Sequence, residues 1–244
     1  MKFHKRSIKK FFITGTDTSV GKTLFCSILM DKFLYDYWKP IQTGNKNDND
    51  TIYIKKICKI PSNRFYKPAF SFRKSLSPHQ AAKYENVSIN LNNIKKPITN
   101  NPLIIEGIGG ILVPLNNKNL IIDLIKKLKF PVIIVSRSTL GTINHTLMTL
   151  EILKKNKIKK ISFIKIDVEG HELNVLKGFD LKKYYPEVIV IEYLDLKMKE
   201  LEFYNQNIDV IINSDIYKYL KNYNYHLVNW VHSDLVFVND EIRN

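Results

Sequence analysis

The sequence predicts an α/β fold with a mainly parallel sheet, and three observations lead there. A short apolar run, Lys10-Phe-Phe-Ile-Thr-Gly15, ends in a glycine and is followed by a helical pattern. Brief apolar runs of strand length recur at Leu103-Ile-Ile-Glu106, Val132-Ile-Ile-Val135, Ile161–Ile166 and Val188–Ile191. Amphipathic stretches fall between several of them, the arrangement that strand–helix–strand units produce.

Each element has a local reason. Lys10–Gly15 reads as a strand covered on both faces and closed by a glycine turn. From Gly21 to Tyr37, the residues Leu24, Phe25, Ile28, Leu29 and Phe33 fall at helical spacing and predict one buried face. The runs at Leu103 and Val132 each follow a proline and precede a turn or loop. Thr142–Lys155 is amphipathic through Ile143, Leu147, Leu150 and Leu153. A strand at Ile161–Ile166, a helix at Glu172–Lys177, a strand at Val188–Ile191 and a strand pair within Tyr225–Asn239 complete the order. Asn45-Lys-Asn-Asp-Asn-Asp50 reads as a flexible polar loop. There is no internal repeat.

Composition narrows the class. With 244 residues and 44% hydrophobic content the chain can bury a core, which excludes overall disorder. No stretch reaches the roughly 18 apolar residues of a membrane span, and Met-Lys-Phe-His-Lys-Arg does not lead into a signal-peptide core. A cytoplasmic protein without membrane attachment is expected. Cys26 and Cys58 offer neither a disulfide framework nor zinc-type spacing, and are expected to be reduced packing residues. The net charge of +15 is almost all lysine: only five of 38 basic residues are arginine, the side chain suited to specific phosphate and base recognition. Lysine, asparagine and isoleucine are enriched together, as an AT-rich coding sequence would give, so no nucleic-acid partner is expected. The charge is uneven. Residues 1–160 hold 29 basic and 9 acidic side chains, a net of +20, whereas residues 161–244 hold 9 and 14, a net of −5. That shift suggests a domain boundary near residue 160.

The strongest chemical signal is Gly15-Thr-Asp-Thr-Ser-Val-Gly21-Lys22-Thr23, between the first strand and the first helix. A phosphate cradle needs glycines that let backbone N–H groups converge, a lysine for the β/γ-phosphates, and a hydroxyl for Mg²⁺ at a helix N-terminus. All are present, with Gly15 one place earlier than the usual interval. Thr16, Asp17, Thr18, Ser19, Val20, Gly21, Lys22 and Thr23 are therefore candidate nucleotide-binding residues. Glu106, a carboxylate directly after three apolar strand residues, needs a partner.

This nonapeptide closely resembles the P-loop of the dethiobiotin synthetase family. Four further segments resemble that family in order: Lys39-Pro-Ile-Gln-Thr-Gly44, Ser77-Pro-His-Gln-Ala-Ala82, Glu106-Gly-Ile-Gly-Gly-Ile-Leu-Val-Pro-Leu115 and Leu140-Gly-Thr-Ile-Asn-His145. Together they span residues 11–155 and imply a P-loop NTPase-like fold. The resemblance implies ATP-dependent dethiobiotin synthesis from 7,8-diaminopelargonic acid and CO₂, in a homodimer. Lys22 and Lys39 would then supply positive charge to phosphoryl transfer. Thr23, Asp50 and Glu106 would hold Mg²⁺, with Asp48 as the alternative to Asp50. Thr43 would hydrogen-bond the carbamate, and the Gly107–Gly110 turn, with Gly109, would let the backbone approach nucleotide or substrate. Asn144 corresponds to a contact with the substrate carboxylate across the dimer interface, and would equally serve as a helix N-cap. His79 and His145 suit helix N-terminal positions rather than metal binding. Ser19 stands where the family commonly has an acidic residue or glycine, a change expected to be tolerated.

After Lys160 that pattern is lost: the family's adenine-reading Asn and its later Pro-x-x-Gly-x-Ile-Pro-like segment are missing. Residues 161–178, with Asp167-Val-Glu-Gly-His171, resemble instead the FkbM family of S-adenosylmethionine-dependent methyltransferases, and Glu187–Glu192 and the Tyr-rich end resemble the rest of that domain. This second resemblance implies a Rossmann-like methyltransferase fragment. Residues 161–244 contain only Gly170 and Gly178, in no glycine-rich turn, so S-adenosylmethionine is not expected as a cofactor. Asp167, Glu169 and His171 are expected to make loop and cap hydrogen bonds rather than a metal cluster.

Overall fold

Strands buried on both faces need continuous apolar sequence, and that is how the first part of the chain is built. The computed structural model describes residues 10–45, 48–137, 140–158, 161–166, 170–193, 208–231 and 233–243. Two compact units divide the chain, Met1–Val135 and Ser136–Asn244.

The first unit contains β1 (Lys10–Gly15), α1 (Lys22–Phe33), β2 (Asp36–Trp38), β3 (Ile41–Thr43), α2 (Asp50–Ile57), β4 (Phe65–Tyr66), β5 (Phe70–Phe72), α3 (Pro78–Tyr84), β6 (Leu103–Gly110), α4 (Ile121–Leu128) and β7 (Val132–Val135). Its main sheet runs in the order β7-β1-β6-β2-β4, and every pairing is parallel. β3 and β5 form a separate parallel pair. Phe12 and Ile13 of β1 and Leu103, Ile104 and Ile105 of β6 are fully buried, which accounts for their unbroken apolar sequence. β1 lies between β6 and β7, so the loop after it opens at the carboxyl edge of the sheet, where ligands bind in open α/β folds.

The structure departs from the sequence-based reading at α1. The helix ends at Phe33, not Tyr37, because Leu34 takes the left-handed conformation, with its N–H still bonded to Met30 O. The Asp36 N–H then donates to Pro102 O at 2.8 Å and opens β2. The buried face is also different. Lys22, Cys26, Ser27 and Met30 face inward, while Leu24, Ile28 and Phe33 are exposed. Two inward contacts set this phase: Lys22 folds back onto the Asp17 carbonyl and Thr23 meets Glu106, which leaves Leu24 and Ile28 outward. Nor does the polar segment ending at Asp50 run on as a loop. Asn49 accepts from the Ile52 N–H and caps α2, of which Asp50 is the first residue; Lys46 and Asn47 lie outside the described residues. Gly107–Gly110 is the end of β6, not a turn.

The second unit contains α5 (Thr142–Lys155), β8 (Ile161–Ile166), α6 (Glu172–Gly178), α7 (Leu181–Tyr184), β9 (Val188–Glu192), α8 (Ile208–Ile212), α9 (Asp215–Lys221), β10 (Tyr225–Val231), β11 (Asp234–Asn239) and α10 (Asp240–Arg243). Its strands run in the order β10-β11-β9-β8, with β8 and β9 parallel and the last two strands antiparallel. The apolar stripe expected of α5 is buried at Leu150 and Leu153 and half-buried at Ile143 and Leu147. α5 buries Thr142, Thr146, Thr149, Leu150 and Leu153, and the Thr142 and Thr146 hydroxyls lie 2.7 and 2.8 Å from Ser136 Oγ. Gly141 is the N-cap of α5, so Asn144 is not; it is the third helical residue, and exposed. Asp167 and Glu169 lie outside the described residues, and His171 precedes α6 as its N-cap position.

Candidate functional site

The site begins in the loop between β1 and α1. Ser19 and Gly21 take positive φ, at 57° and 94°, and Gly21 leads directly into the first turn of α1. Lys22 does not extend outward; its ammonium donates to the Asp17 carbonyl at 2.8 Å and is almost wholly buried. This explains the early glycine. A Cβ at Gly15 would sit 2.6 Å from Asp17 O and 2.8 Å from Lys22 Nζ, so only glycine lets the lysine fold back across the loop. Asp17 turns its own carboxylate to the Thr18 N–H at 2.7 Å.

Four elements then converge on one carboxylate. Glu106, in β6, is 1% exposed. Its Oε1 accepts from Thr23 Oγ1 of α1 at 2.9 Å and from Lys39 Nζ, just past β2, at 3.0 Å. Its Oε2 accepts from the Tyr37 hydroxyl of β2 at 2.8 Å. Asp50, the first residue of α2, closes the group: its Oδ1 lies 2.6 Å from Thr23 Oγ1 and its Oδ2 lies 2.7 Å from Lys39 Nζ. Asp48 faces elsewhere, accepting from Ser75 Oγ at 2.6 Å.

The charges follow from this packing. Burial opposes the Lys39 charge, but Glu106 and Asp50 outweigh it and hold the ammonium well above the ordinary lysine pKa. Burial likewise opposes ionisation of Asp50, and Lys39 and Thr23 outweigh it, so Asp50 lies below the usual carboxylate range. Lys22 is pushed down by burial and then by repulsion from Lys39. Burial and Glu106 push the Cys26 thiol and the Tyr37 phenol well up, which keeps both protonated as donors.

This donor set suits a hard divalent cation. Thr23 Oγ1 lies within hydrogen-bond reach of both carboxylates, and the Lys39 ammonium bridges the same pair. Among the described residues no group of three or more His, Cys, Asp or Glu side chains could cage a metal. A cation here would need the hydroxyl, two carboxylates and further oxygens from water or phosphate, which is how Mg²⁺ is usually held.

The remaining candidates lie around this centre or apart from it. Thr16, Asp17, Thr18, Ser19 and Val20 form the loop over Lys22, and Gly107 and Gly109 lie in β6 just beyond Glu106. Gly109 takes φ +60°, a conformation that most side chains resist. Gly110 ends β6 opposite Gly15, and Thr43 ends β3, its carbonyl accepting from Gln42 Nε2 at 2.7 Å. Asn144 belongs to the second unit. His79 is the second residue of α3, its Nδ1 3.2 Å from Ser77 Oγ; His145 Nδ1 is buried without a partner. Sequence reasoning missed Tyr37 and Cys26. Tyr37 was readable only once β2 was seen as a strand, because residues 37 and 39 then share a face.

A family model described as an AAA domain matches residues 9–198. The ATP-dependent dethiobiotin synthetase BioD of Lawsonia intracellularis is 48% identical over 155 residues, covering 64% of this chain and 74% of the relative. Its namesake in Paramagnetospirillum magneticum is 44% identical over 153 residues, covering 63% and 74%. That of Christiangramia forsetii is 39% identical over 204 residues, covering 79% and 98%.

The charge pairing predicts a specific pH dependence. The lowered Asp50 pKa contributes stability above the ordinary carboxylate value, lost as pH falls through the lowered one. The raised Lys39 pKa contributes stability below the ordinary lysine value, lost as pH rises through the raised one. Both contributions are complete at neutral pH. Lys39→Met should cost about 3–5 kcal/mol there in urea unfolding, because it leaves buried acid uncompensated. The deficit should shrink as pH falls toward and through the carboxylate range, because burial without Lys39 favours protonated Asp50. A deficit that stays constant between pH 7 and pH 3 would contradict the pairing.

Proposed function

We infer the chemistry from kinship: the chain belongs to the dethiobiotin synthetase family, and its activity is ATP-dependent dethiobiotin synthesis, an ATP-dependent ligase reaction. The observation that carries this to the level of residues is the meeting of three segments far apart in sequence. Thr23 follows the phosphate loop, Lys39 opens the Lys-Pro-Ile-Gln-Thr-Gly segment and Glu106 opens the glycine-rich one, and all three lie within hydrogen-bond distance of one another through Glu106 Oε1.

The reaction joins 7,8-diaminopelargonic acid, CO₂ and ATP to give dethiobiotin, ADP and phosphate. One amine takes up CO₂ as a carbamate, whose oxygen attacks the γ-phosphorus and expels ADP. The second amine then attacks the carbamoyl carbon, closes the ureido ring and releases phosphate. In our proposal Lys22 swings from the Asp17 carbonyl to the β/γ-phosphates when nucleotide enters, relieving both its burial and its repulsion by Lys39. Lys39 neutralises charge between carbamate and γ-phosphate, and Thr43 donates to the carbamate. Thr16–Val20, Gly21, Gly107 and Gly109 line the nucleotide, and Gly110 the substrate. Thr23, Asp50 and Glu106 hold Mg²⁺, which would neutralise phosphate charge. Asp50 is preferred to Asp48 because it touches Thr23 and Lys39, whereas Asp48 is engaged by Ser75.

Two finer parts belong to the same proposal. Asn144, exposed on the first turn of α5, would reach the substrate carboxylate across a homodimer interface; a sedimentation mass of one 28.6 kDa chain would count against it. The enzyme would work in the cytoplasm: no helix among the described residues is long and apolar enough to cross a membrane, and targeting of the native protein to another compartment would refute that placement. Residues 161–244 would be an FkbM-type fragment following a dethiobiotin synthetase-like part at 1–160, but the family match crosses that boundary and runs on to residue 198. The parallel β8–β9 pair, followed by an antiparallel final hairpin, supports a Rossmann-like half-sheet. This fragment should give no heat on calorimetric titration with S-adenosylmethionine, and saturable binding would reverse that reading.

The direct assay of the main reading is product formation from diaminopelargonate, bicarbonate and Mg·ATP. Wild-type protein should yield dethiobiotin, and Lys22→Ala should lower the rate by at least about 100-fold, the scale of losing one group that stabilises transition-state charge. Folded wild-type protein that makes no product at saturating ATP would refute the assignment.

A further inference from the structure

We propose that Tyr37 is a positioning residue that holds Glu106 to one-oxygen metal binding and thereby makes the site select Mg²⁺ over Ca²⁺. The proposal rests on the reading of Thr23, Asp50 and Glu106 as metal ligands. Both oxygens of Glu106 have assigned partners. Oε1 meets Thr23 and Lys39, on the side shared with Asp50, and Oε2 is held by the Tyr37 hydroxyl at 2.8 Å. Tyr37 and Glu106 are 0% and 1% exposed, so no bulk water can take the place of that hydroxyl. The phenol is itself confined. β2 is paired with β6 on one side and β4 on the other, and the Phe65 ring packs edge-on against it at 5.9 Å.

A carboxylate with both oxygens free can rotate and present the pair to one cation. Ca²⁺ accepts such bidentate binding at about 2.3–2.6 Å, in a flexible shell of 6–8 oxygens. Mg²⁺ requires near-octahedral geometry at about 2.0–2.1 Å, which suits single oxygens. Engaging Oε2 from behind leaves Oε1 alone for the cation. The same logic governs ligands held by an outer partner, whose loss typically costs about 10–100-fold in metal affinity.

Calorimetric titration of the full chain with a non-hydrolysable ATP analogue, in chelator, Mg²⁺ or Ca²⁺, tests this. The variants are Tyr37→Phe and, as a control, Tyr66→Phe, which removes a phenol–carboxylate bond to Asp36 Oδ2 in the same sheet, away from Glu106. Tyr37→Phe should reduce the Mg²⁺ enhancement of nucleotide affinity by about 10-fold or more and leave the Ca²⁺ enhancement and the metal-free affinity within about two-fold. Tyr66→Phe should keep the wild-type Mg²⁺/Ca²⁺ ratio. An unchanged ratio in Tyr37→Phe, or an equal loss of metal-free and metal-dependent affinity, overturns the proposal. Absence of any metal enhancement in wild-type protein would overturn the ligand assignment itself, and so is distinguishable. Should Tyr37→Phe fail to fold, 3-fluorotyrosine at position 37 keeps ring and hydroxyl. Its ¹⁹F resonance should move when Mg²⁺ joins the nucleotide complex, and the same label at position 66 should not; an unmoved signal at 37 overturns the proposal.

Discussion

A carboxylate buried in the middle of a parallel sheet costs several kcal/mol unless it is compensated, and Glu106 is the point around which the first unit is arranged. Its compensation comes from two elements, α1 and β2 with its exit. α1 brings Thr23, the β2 strand and its exit bring Tyr37 and Lys39, and Cys26 packs beneath with its thiol kept protonated by the same carboxylate. Asp50 then shares Lys39, so two acids face one ammonium, and Lys22 beside them, drawn by both carboxylates and repelled by Lys39, brings the formal charge of the group to zero. In the proposed mechanism a nucleotide's phosphates draw Lys22 off the Asp17 carbonyl, and a divalent cation would take over the carboxylates from Lys39, leaving it for the reacting groups.

This constraint reaches into the fold. The phase of α1 is set by Lys22 and Thr23, so Leu24, Ile28 and Phe33 stay exposed although they are apolar. The break at Leu34 allows β2 to start at Asp36, and extended geometry from there puts Tyr37 and Lys39 on the face turned to Glu106. The Asn49 cap fixes where α2 begins, and with it the place of Asp50. Asp36 has its own enclosure, accepting from Thr99, Tyr66 and Asn101, which anchors the start of β2 independently of the site.

Much of this was legible in residues alone. The runs at Leu103 and Val132 became strands because buried parallel strands need continuous apolar sequence, the Ile161 run became one in which buried Ile164 and Ile166 alternate with exposed Lys165, and Thr142–Lys155 became α5 with the same ends. The glycine turn before α1 and the need of Glu106 for partners were readable because a glycine pair before a helix and a carboxylate inside an apolar strand have few physical explanations. What was not legible depended on function or on partners distant in sequence. Apolar periodicity mispredicted the buried face of α1, since the cradle overrides it. Periodicity also ran the helix on through Tyr37, because nothing local announces a left-handed Leu34; this hid both β2 and the Tyr37–Glu106 bond. β3, β4 and β5 are two or three residues each, too short for any periodic signal. Asn144 lost its capping role to Gly141, whose positive φ reverses the chain without a side-chain bond.

The central claim is that the Lys39 ammonium, seated between Asp50 and Glu106, marks the place of a divalent cation and yields it when nucleotide binds. A crystal structure with Mg²⁺ and a non-hydrolysable ATP analogue tests this most directly. The account predicts the ion on Thr23 Oγ1, Asp50 and Glu106 Oε1, with Lys39 turned toward the γ-phosphate, Lys22 off the Asp17 carbonyl, and Tyr37 still on Glu106 Oε2. A metal bound only to phosphate and water, with Lys39 still bridging the two carboxylates, would contradict it.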